Sequence, residues 1–274
     1  MKGSQAEPAE KVAYLGPEGS YSMLAAQKLC PQAQGVPCKS FFSAVEKLRK
    51  GEVGSAVLPV ENTLQGAVTQ NLDLLYAAPS LFAVREYVLP IEHRLIAREG
   101  TRLEEVRRVY SHPQAILQCG KFLSGVLSRA ATIETSSTAE SLTHIREAGD
   151  AGIVGSHVRA AGFCFLGENI ADEKKNFTHF LLVKKGREHL PASSSHVYFA
   201  ATCPHEPGAL LKMLQILSVY DLNMTKIESR PIKNSPGTYC FFIEFKGDVA
   251  DRHVCAALDR LEEYTDGFKL IGCY

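Results

Sequence analysis

The sequence predicts an α/β protein in two parts, a two-lobed region over about residues 11–186 and a small βαββαβ unit over 196–274. Three observations predict it. Short apolar runs alternate with helical spacings through the first part, the same alternation resumes after a long extended stretch, and a charged, Pro/Ser-rich segment precedes a second α/β pattern. With 274 residues and 45% apolar content, the chain is long enough to bury more than one core.

Residues 1–10 are polar, carry Glu7, Pro8 and Glu10, and lack the apolar stretch of a secretory signal, so they read as a disordered lead-in. The first lobe is expected over about 11–95 plus 170–186. Its elements are a strand at Val12–Leu15, helices at Tyr21–Leu29 and Phe42–Arg49, a strand at Ser55–Pro59, a helix at Val68–Tyr76 and an extended region over Leu81–Ala97. The second lobe, about 96–169, repeats the grammar: strand Val106–Tyr110, helix Pro113–Leu123, strand Ala131–Thr135, helix Thr138–Ala148 and strand Ala151–Val154. Strand Phe177–Val183 then closes the region. Lys184–Ser195 has the composition of a linker, with the linker proper expected at 187–195. Beyond it, Val197, Phe199, Ala201 and Cys203 alternate as in a strand, and Leu210, Met213, Leu214 and Leu217 follow helical spacing. Leu222–Pro231 is extended, Tyr239, Phe241, Ile243 and Phe245 alternate, Val254, Ala257, Leu258 and Leu261 mark a second helix, and Lys269–Cys273 forms a last strand. This order is that of a ferredoxin-like unit.

Thirty basic and 30 acidic side chains cancel without a long run of one sign, so no field favours nucleic acid or an anionic membrane. No stretch approaches the ~20 apolar residues that span a bilayer. The eight cysteines include no CxxC pair, which argues for reduced thiols rather than a zinc site and makes the cytoplasm the default location.

Candidate chemistry falls where strands meet loops, the usual place for ligands in open α/β sheets. Gly16-Pro17-Glu18-Gly19-Ser20 follows the first strand and opens a helix, so its backbone N–H groups suit a carboxylate or phosphate, while a tight turn capped by Ser20 explains it equally. Ser137 and Glu140 fit a capping box. Glu61 and Asn62 end an apolar strand. There Glu61 suits either acid/base work or bonding of the loop's own backbone. Ser111-His112-Pro113-Gln114 joins a strand to a helix, with capping as the simplest role for Ser111 or His112. Gln114 and Gln118 share a helix face nearly opposite the apolar stripe, which predicts solvent exposure unless that face lines a cleft. Alternation sets Thr178 on the face opposite Phe177 and His179.

Taken in order, YLGPEGSYS at 14–22, PVENTLQGAV at 59–68, YSHPQAILQC at 110–119 and NFTHF at 176–180 resemble the prephenate dehydratase family. GALL at 208–211 and IESRP at 227–231 resemble the phenylalanine-binding motifs of the ACT regulatory domain that follows in that family. The resemblance implies a two-lobed catalytic domain resembling periplasmic-binding-protein-like folds. It implies decarboxylating dehydration of prephenate without cofactor or metal, with Thr178 essential; because a threonine hydroxyl is too weak an acid to act alone, His112, Glu61 or water is expected to supply the proton. Gly19, Ser20, Asn62, Ser111, Gln114 and Gln118 would bind substrate. Gly208, Ala209, Leu210, Asn223, Glu228 and Ser229 would bind phenylalanine between paired ACT domains of a homodimer or homotetramer, with Glu228 and Arg230 facing its charged groups. A fused chorismate mutase domain is not expected before Val12. Arogenate dehydratase and a non-catalytic two-lobed sensor are the competing expectations. Two departures stand out: His179 occupies the place of the family's arginine, and Thr63 that of its serine.

Overall fold

The computed structural model describes residues 10–232, 235 and 237–274. Residues 1–9 of the expected lead-in lie outside the described residues. Glu10, its last residue, is tied to Lys184 by a 2.8 Å ion pair.

The first lobe runs β1 (Lys11–Leu15), α1 (Tyr21–Leu29), β2 (Gln34–Cys38), α2 (Phe41–Arg49), β3 (Ser55–Asn62), β4 (Gly66–Ala67), α3 (Thr69–Tyr76) and β5 (Leu81–Pro90). Ser20 and Ser40 cap α1 and α2, each side chain accepting the N–H three residues on. Ala25, Ala26 and Leu29 of α1 bury one face of the sheet with Val12, Tyr14 and Val57. On the other face, α2 and α3 contribute Val45, Leu48, Leu72 and Leu75. β2 was not foreseen because its QGVPC sequence carries Gly and Pro, which the sheet tolerates at its edge.

The chain crosses to a second sheet at Ile91–Glu92. Its elements are β6 (His93–Arg98), β7 (Arg108–Ser111), α4 (Pro113–Gln118), α5 (Gly120–Gly125), β8 (Ala131–Glu134), α6 (Ser141–His144), β9 (Asp150–Gly155) and β10 (Phe163–Phe165). Strand order is β10-β6-β9-β7-β8. The second lobe therefore begins a few residues before the expected 96, since Leu95 is fully buried with Val109, Ala151 and Ile153. The single helix expected at Pro113–Leu123 is two, broken at Cys119 beside Gly120. The helix expected over Thr138–Ala148 shrinks to α6. Asp150 Oδ2 accepts the N–H groups of Arg146 and Glu147 at 3.1 and 3.0 Å, and the chain leaves the helix to meet it.

β11 (Phe177–Lys185) returns to the first sheet between β3 and β5. After a turn at Arg187–His189 come β12 (His196–Thr202), α7 (Ala209–Val219), β13 (Met224–Pro231), β14 (Tyr239–Lys246), α8 (Arg252–Tyr264) and β15 (Gly267–Cys273). Their order, β13-β14-β12-β15, is that of the ferredoxin-like unit. β15 then bridges β5 in parallel at Gly272 and Ala83, making one ten-stranded sheet across both parts. A Cβ at Gly272 would collide with the Ala83 backbone, so only glycine permits this approach. α7 and α8 cover one face of the unit, while Tyr198, Phe242 and Ile271 on the other face join Leu72 and Leu75 of the first lobe in one core.

Candidate active site

β3 and β11 lie antiparallel, pairing Thr178 with Asn62 and His179 with Glu61, and β3 bulges at Val60 between His179 and Phe180. Directly paired residues share a face. Asn62 and Thr178 therefore project on one side of the sheet, while Glu61 and His179 project on the other.

On the first side, Asn62 Nδ2 donates to Thr178 Oγ1 at 2.9 Å and to Asn176 Oδ1 at 2.7 Å, and Asn62 Oδ1 accepts Leu64 N–H at 3.1 Å. Thr178 Oγ1 makes no hydrogen bond as a donor among the described residues. With a lone pair held by the amide, its proton is free for a ligand. Asn176, 1% exposed, passes the chain on: its Nδ2 donates to Gln118 Oε1 at 3.2 Å. Gln118 Oε1 also meets His93 Nε2 at 2.9 Å. Gln118 comes from the second lobe and Asn62 from the first, so the chain of amides crosses the cleft between them. Two further contacts join the lobes. His157 Nε2 donates to the Gly19 carbonyl at 3.0 Å, and the Tyr21 hydroxyl to the Glu92 carbonyl at 2.5 Å.

Of the residues singled out from the sequence, Thr178, Asn62 and Gln118 meet here, so the solvent exposure expected for Gln118 gives way to the cleft. Others do not join them. Glu61 points away from Thr178, and its Oε2 lies 2.5 Å from Lys226 Nζ on β13. His179 shares that side, where Nδ1 meets Glu86 Oε1 at 2.6 Å. The Glu86 hydrogen bond raises the His179 pKa above its ordinary value against the effect of burial. Ser111 is 0% exposed, and its hydroxyl donates to the Ile153 carbonyl at 2.8 Å. His112 caps α4, its Nδ1 accepting Gln114 N–H at 3.2 Å, and the Gln114 side chain makes no hydrogen bond among the described residues. Ser20 is spent on its cap and on the Leu15 carbonyl, 2.9 Å away. Ser137 accepts Glu140 N–H, but in the turn before α6 rather than at a helix start.

Asn176 and His93 were missed. Asn176 carried a usable signal, lying two residues before Thr178 and so on the same strand face, whereas His93 is distant in sequence from every motif.

In the C-terminal unit, Gly208 adopts φ +82° and starts α7 ahead of Ala209 and Leu210, while Asn223 lies beyond the helix's far end. Glu228 and Ser229 face opposite ways along β13. Glu228 shares its side with Arg230, but Arg230 is engaged by Asp73 of α3 at 3.1 Å, so the expected Glu228–Arg230 clamp for an amino acid is not free.

Residues 12–188 match the family described as Prephenate dehydratase. The chain is 34% identical to "Arogenate dehydratase/prephenate dehydratase 2, chloroplastic" of Arabidopsis thaliana, covering 96% of this chain and 72% of that protein. It is 35% identical to a bifunctional chorismate mutase/prephenate dehydratase of Aquifex aeolicus, covering 96% and 73%. Its fold matches the crystal structure of prephenate dehydratase from Arthrobacter aurescens in complex with L-Phe, with a TM-score of 0.88 at 29% identity, over 96% of this chain and 89% of that one. The family match spans more than half of the chain and the relatives cover nearly all of it, so this chain belongs to the prephenate dehydratase family.

Proposed function

We propose that the protein is a carbon–oxygen lyase that converts prephenate to phenylpyruvate, CO2 and water in phenylalanine biosynthesis, under control by phenylalanine. The observation that carries this reading is Thr178, whose oxygen is held by Asn62 while its proton is unspent. In the reaction the bond from the ring to its carboxylate breaks, the electron pair enters the ring, and the ring hydroxyl leaves and takes a proton to become water. Aromatisation drives the step. Thr178 donates a hydrogen bond to the departing oxygen, and the free amide of Gln118 helps position the dianion. A threonine hydroxyl is too weak an acid to supply the proton alone. Glu61 lies on the opposite face, paired with Lys226, which leaves His112, whose Nδ1 accepts at the helix cap, or solvent water as the proton source.

Thr178→Ala is expected to lower kcat by about 10²- to 10⁴-fold with KM for prephenate largely kept, read from the alkaline ultraviolet absorbance of phenylpyruvate. Near-normal turnover would remove Thr178 from the chemistry, and binding without turnover in the unaltered protein would favour a sensor. The Arabidopsis relative is named for both substrates, so arogenate is the second reading. Comparing kcat/KM for the two compounds decides between them.

Regulation by phenylalanine is supported by the C-terminal unit. Gly208–Leu210 and Asn223 stand at opposite ends of the 11-residue α7, about 16 Å apart at 1.5 Å per residue. One amino acid cannot touch both within a single chain, which favours a site shared by two copies in a homodimer or larger homo-oligomer. Leu211 and Ile227, 61% and 41% exposed, supply apolar area for that contact. The cytoplasm is the proposed location, supported by cysteines that are all unpaired.

A further inference from the structure

The hydrogen-bond chain that begins at Thr178 ends at a histidine the chemistry above does not use. His93 is 3% exposed and opens β6, immediately after the first crossing between lobes. Both crossings grip it. Its N–H donates to Asn169 Oδ1 at 3.3 Å, its carbonyl accepts Ile170 N–H at 2.8 Å, and the preceding Ile91 N–H reaches the Asn176 carbonyl at 2.8 Å. The Tyr21 ring stands edge-on to the imidazole, with centroids 6.1 Å apart.

Protonation follows from the partners. Gln118 Oε1 is an acceptor, so the His93 nitrogen 2.9 Å from it carries the hydrogen. Burial lowers the imidazole pKa below its ordinary value, more strongly than the Gln118 bond raises it, which leaves the ring neutral. Nδ1 is then bare and has no hydrogen-bond partner. Gln118 Oε1 thus receives two donors, His93 Nε2–H and Asn176 Nδ2–H, one for each lone pair. Rotating the carboxamide by half a turn would set its NH2 against both. Its NH2, which has no acceptor among the described residues, is therefore fixed on the side of the carboxamide away from His93 and Asn176, unspent. In the same way each amide in the chain has one permitted orientation, down to Asn62 and Thr178.

We propose that His93 is a positioning residue for the dehydration, its Nε2–H locking the Gln118 carboxamide so that the Gln118 NH2 and the Thr178 hydroxyl both face the substrate while the lobes are aligned. This rests on the reading of Thr178 given above. His93→Met keeps the volume and removes the donor. His93→Gln returns an N–H at the reach of Nε2, and His93→Asn is too short to reach Gln118. Steady-state kinetics with prephenate are expected to give a loss of about tenfold in kcat for the Met and Asn variants, the scale of one lost hydrogen bond that leaves its partner misoriented, and within about threefold of normal for Gln. In a Gln118→Met background, His93→Met should cost less than about twofold more, because both act through one amide.

Three results would overturn the proposal: normal kcat in both His93→Met and His93→Asn, equal losses in Gln and Asn variants, or the same fold-loss with and without Gln118. Should His93→Met fail to fold, the Gln and Asn pair still decides, with melting temperatures recorded beside the rates. Normal turnover in Thr178→Ala would sink the reading of Thr178 but leave the His93–Gln118 cycle legible by itself.

Discussion

Glu61 and Asn62 are neighbours in sequence and serve opposite sides of one sheet. Alternation within β3 predicts that they diverge, but which of them looks into the cleft depends on the register with β11 and on the bulge at Val60. That is information about a strand more than a hundred residues away, and the sequence read alone kept both as candidates. Three histidines are shifted in opposite senses by different surroundings. Burial lowers the pKa of His93 and His157, whereas the Glu86 hydrogen bond raises that of His179. The stabilisation from His179 is complete below the unfolded value of 6.5 and is lost as pH rises through the folded pKa. For His93 the unfolded chain binds the extra proton first, so stability falls as pH drops below 6.5 toward the folded pKa. Thermal denaturation across this range should show the advantage of the unaltered protein over His179→Gln growing on acidification, and its advantage over His93→Gln shrinking. Parallel melting curves for either variant would contradict the assignment.

At the scale of elements, strands with apolar alternation were legible, and so were the helices with a serine cap. Short polar or Gly/Pro-bearing elements were not, since β2 and α6 owe their limits to neighbours rather than to their own periodicity. β13 shows what such neighbours do. Its residues 224–231 alternate between solvent and the catalytic region, and the inward set includes Lys226, paired with Glu61, and Arg230, paired with Asp73. The strand expected to sense phenylalanine is thus pinned to the strand that ends in Asn62. Lys226→Met should leave basal kcat within about threefold, since Lys226 touches no group beside Thr178, and should weaken the phenylalanine response by about tenfold, a typical coupling free energy. An unchanged dose–response curve would mean that the signal takes another route.

Across the whole molecule, the sequence suggested a linker and an independent C-terminal unit, and the composition of Lys184–Ser195 does read that way. What it could not reveal was that the bare face of that unit's sheet lies on α3. Lys269 Nζ donates to the carbonyls of Leu75 and Ala78 at the end of that helix, and Gly272 admits Ala83 at the sheet junction. Gly272→Ala is expected to destabilise the protein by about 1–3 kcal/mol through overpacking against the Ala83 backbone. Denaturant titration measures the loss, and a value near zero would show that the junction yields.

The shared core has a consequence for how the molecule comes apart. Tyr198, Phe242 and Ile271 are covered by the first lobe, so the C-terminal unit cut free at His196 would present that apolar face to water. Calorimetry of the intact chain should accordingly record the first lobe and the C-terminal unit melting in a single cooperative transition, and the excised fragment should aggregate or require a partner for that face. The two parts are separable as patterns in a sequence, yet in the structure they share one core.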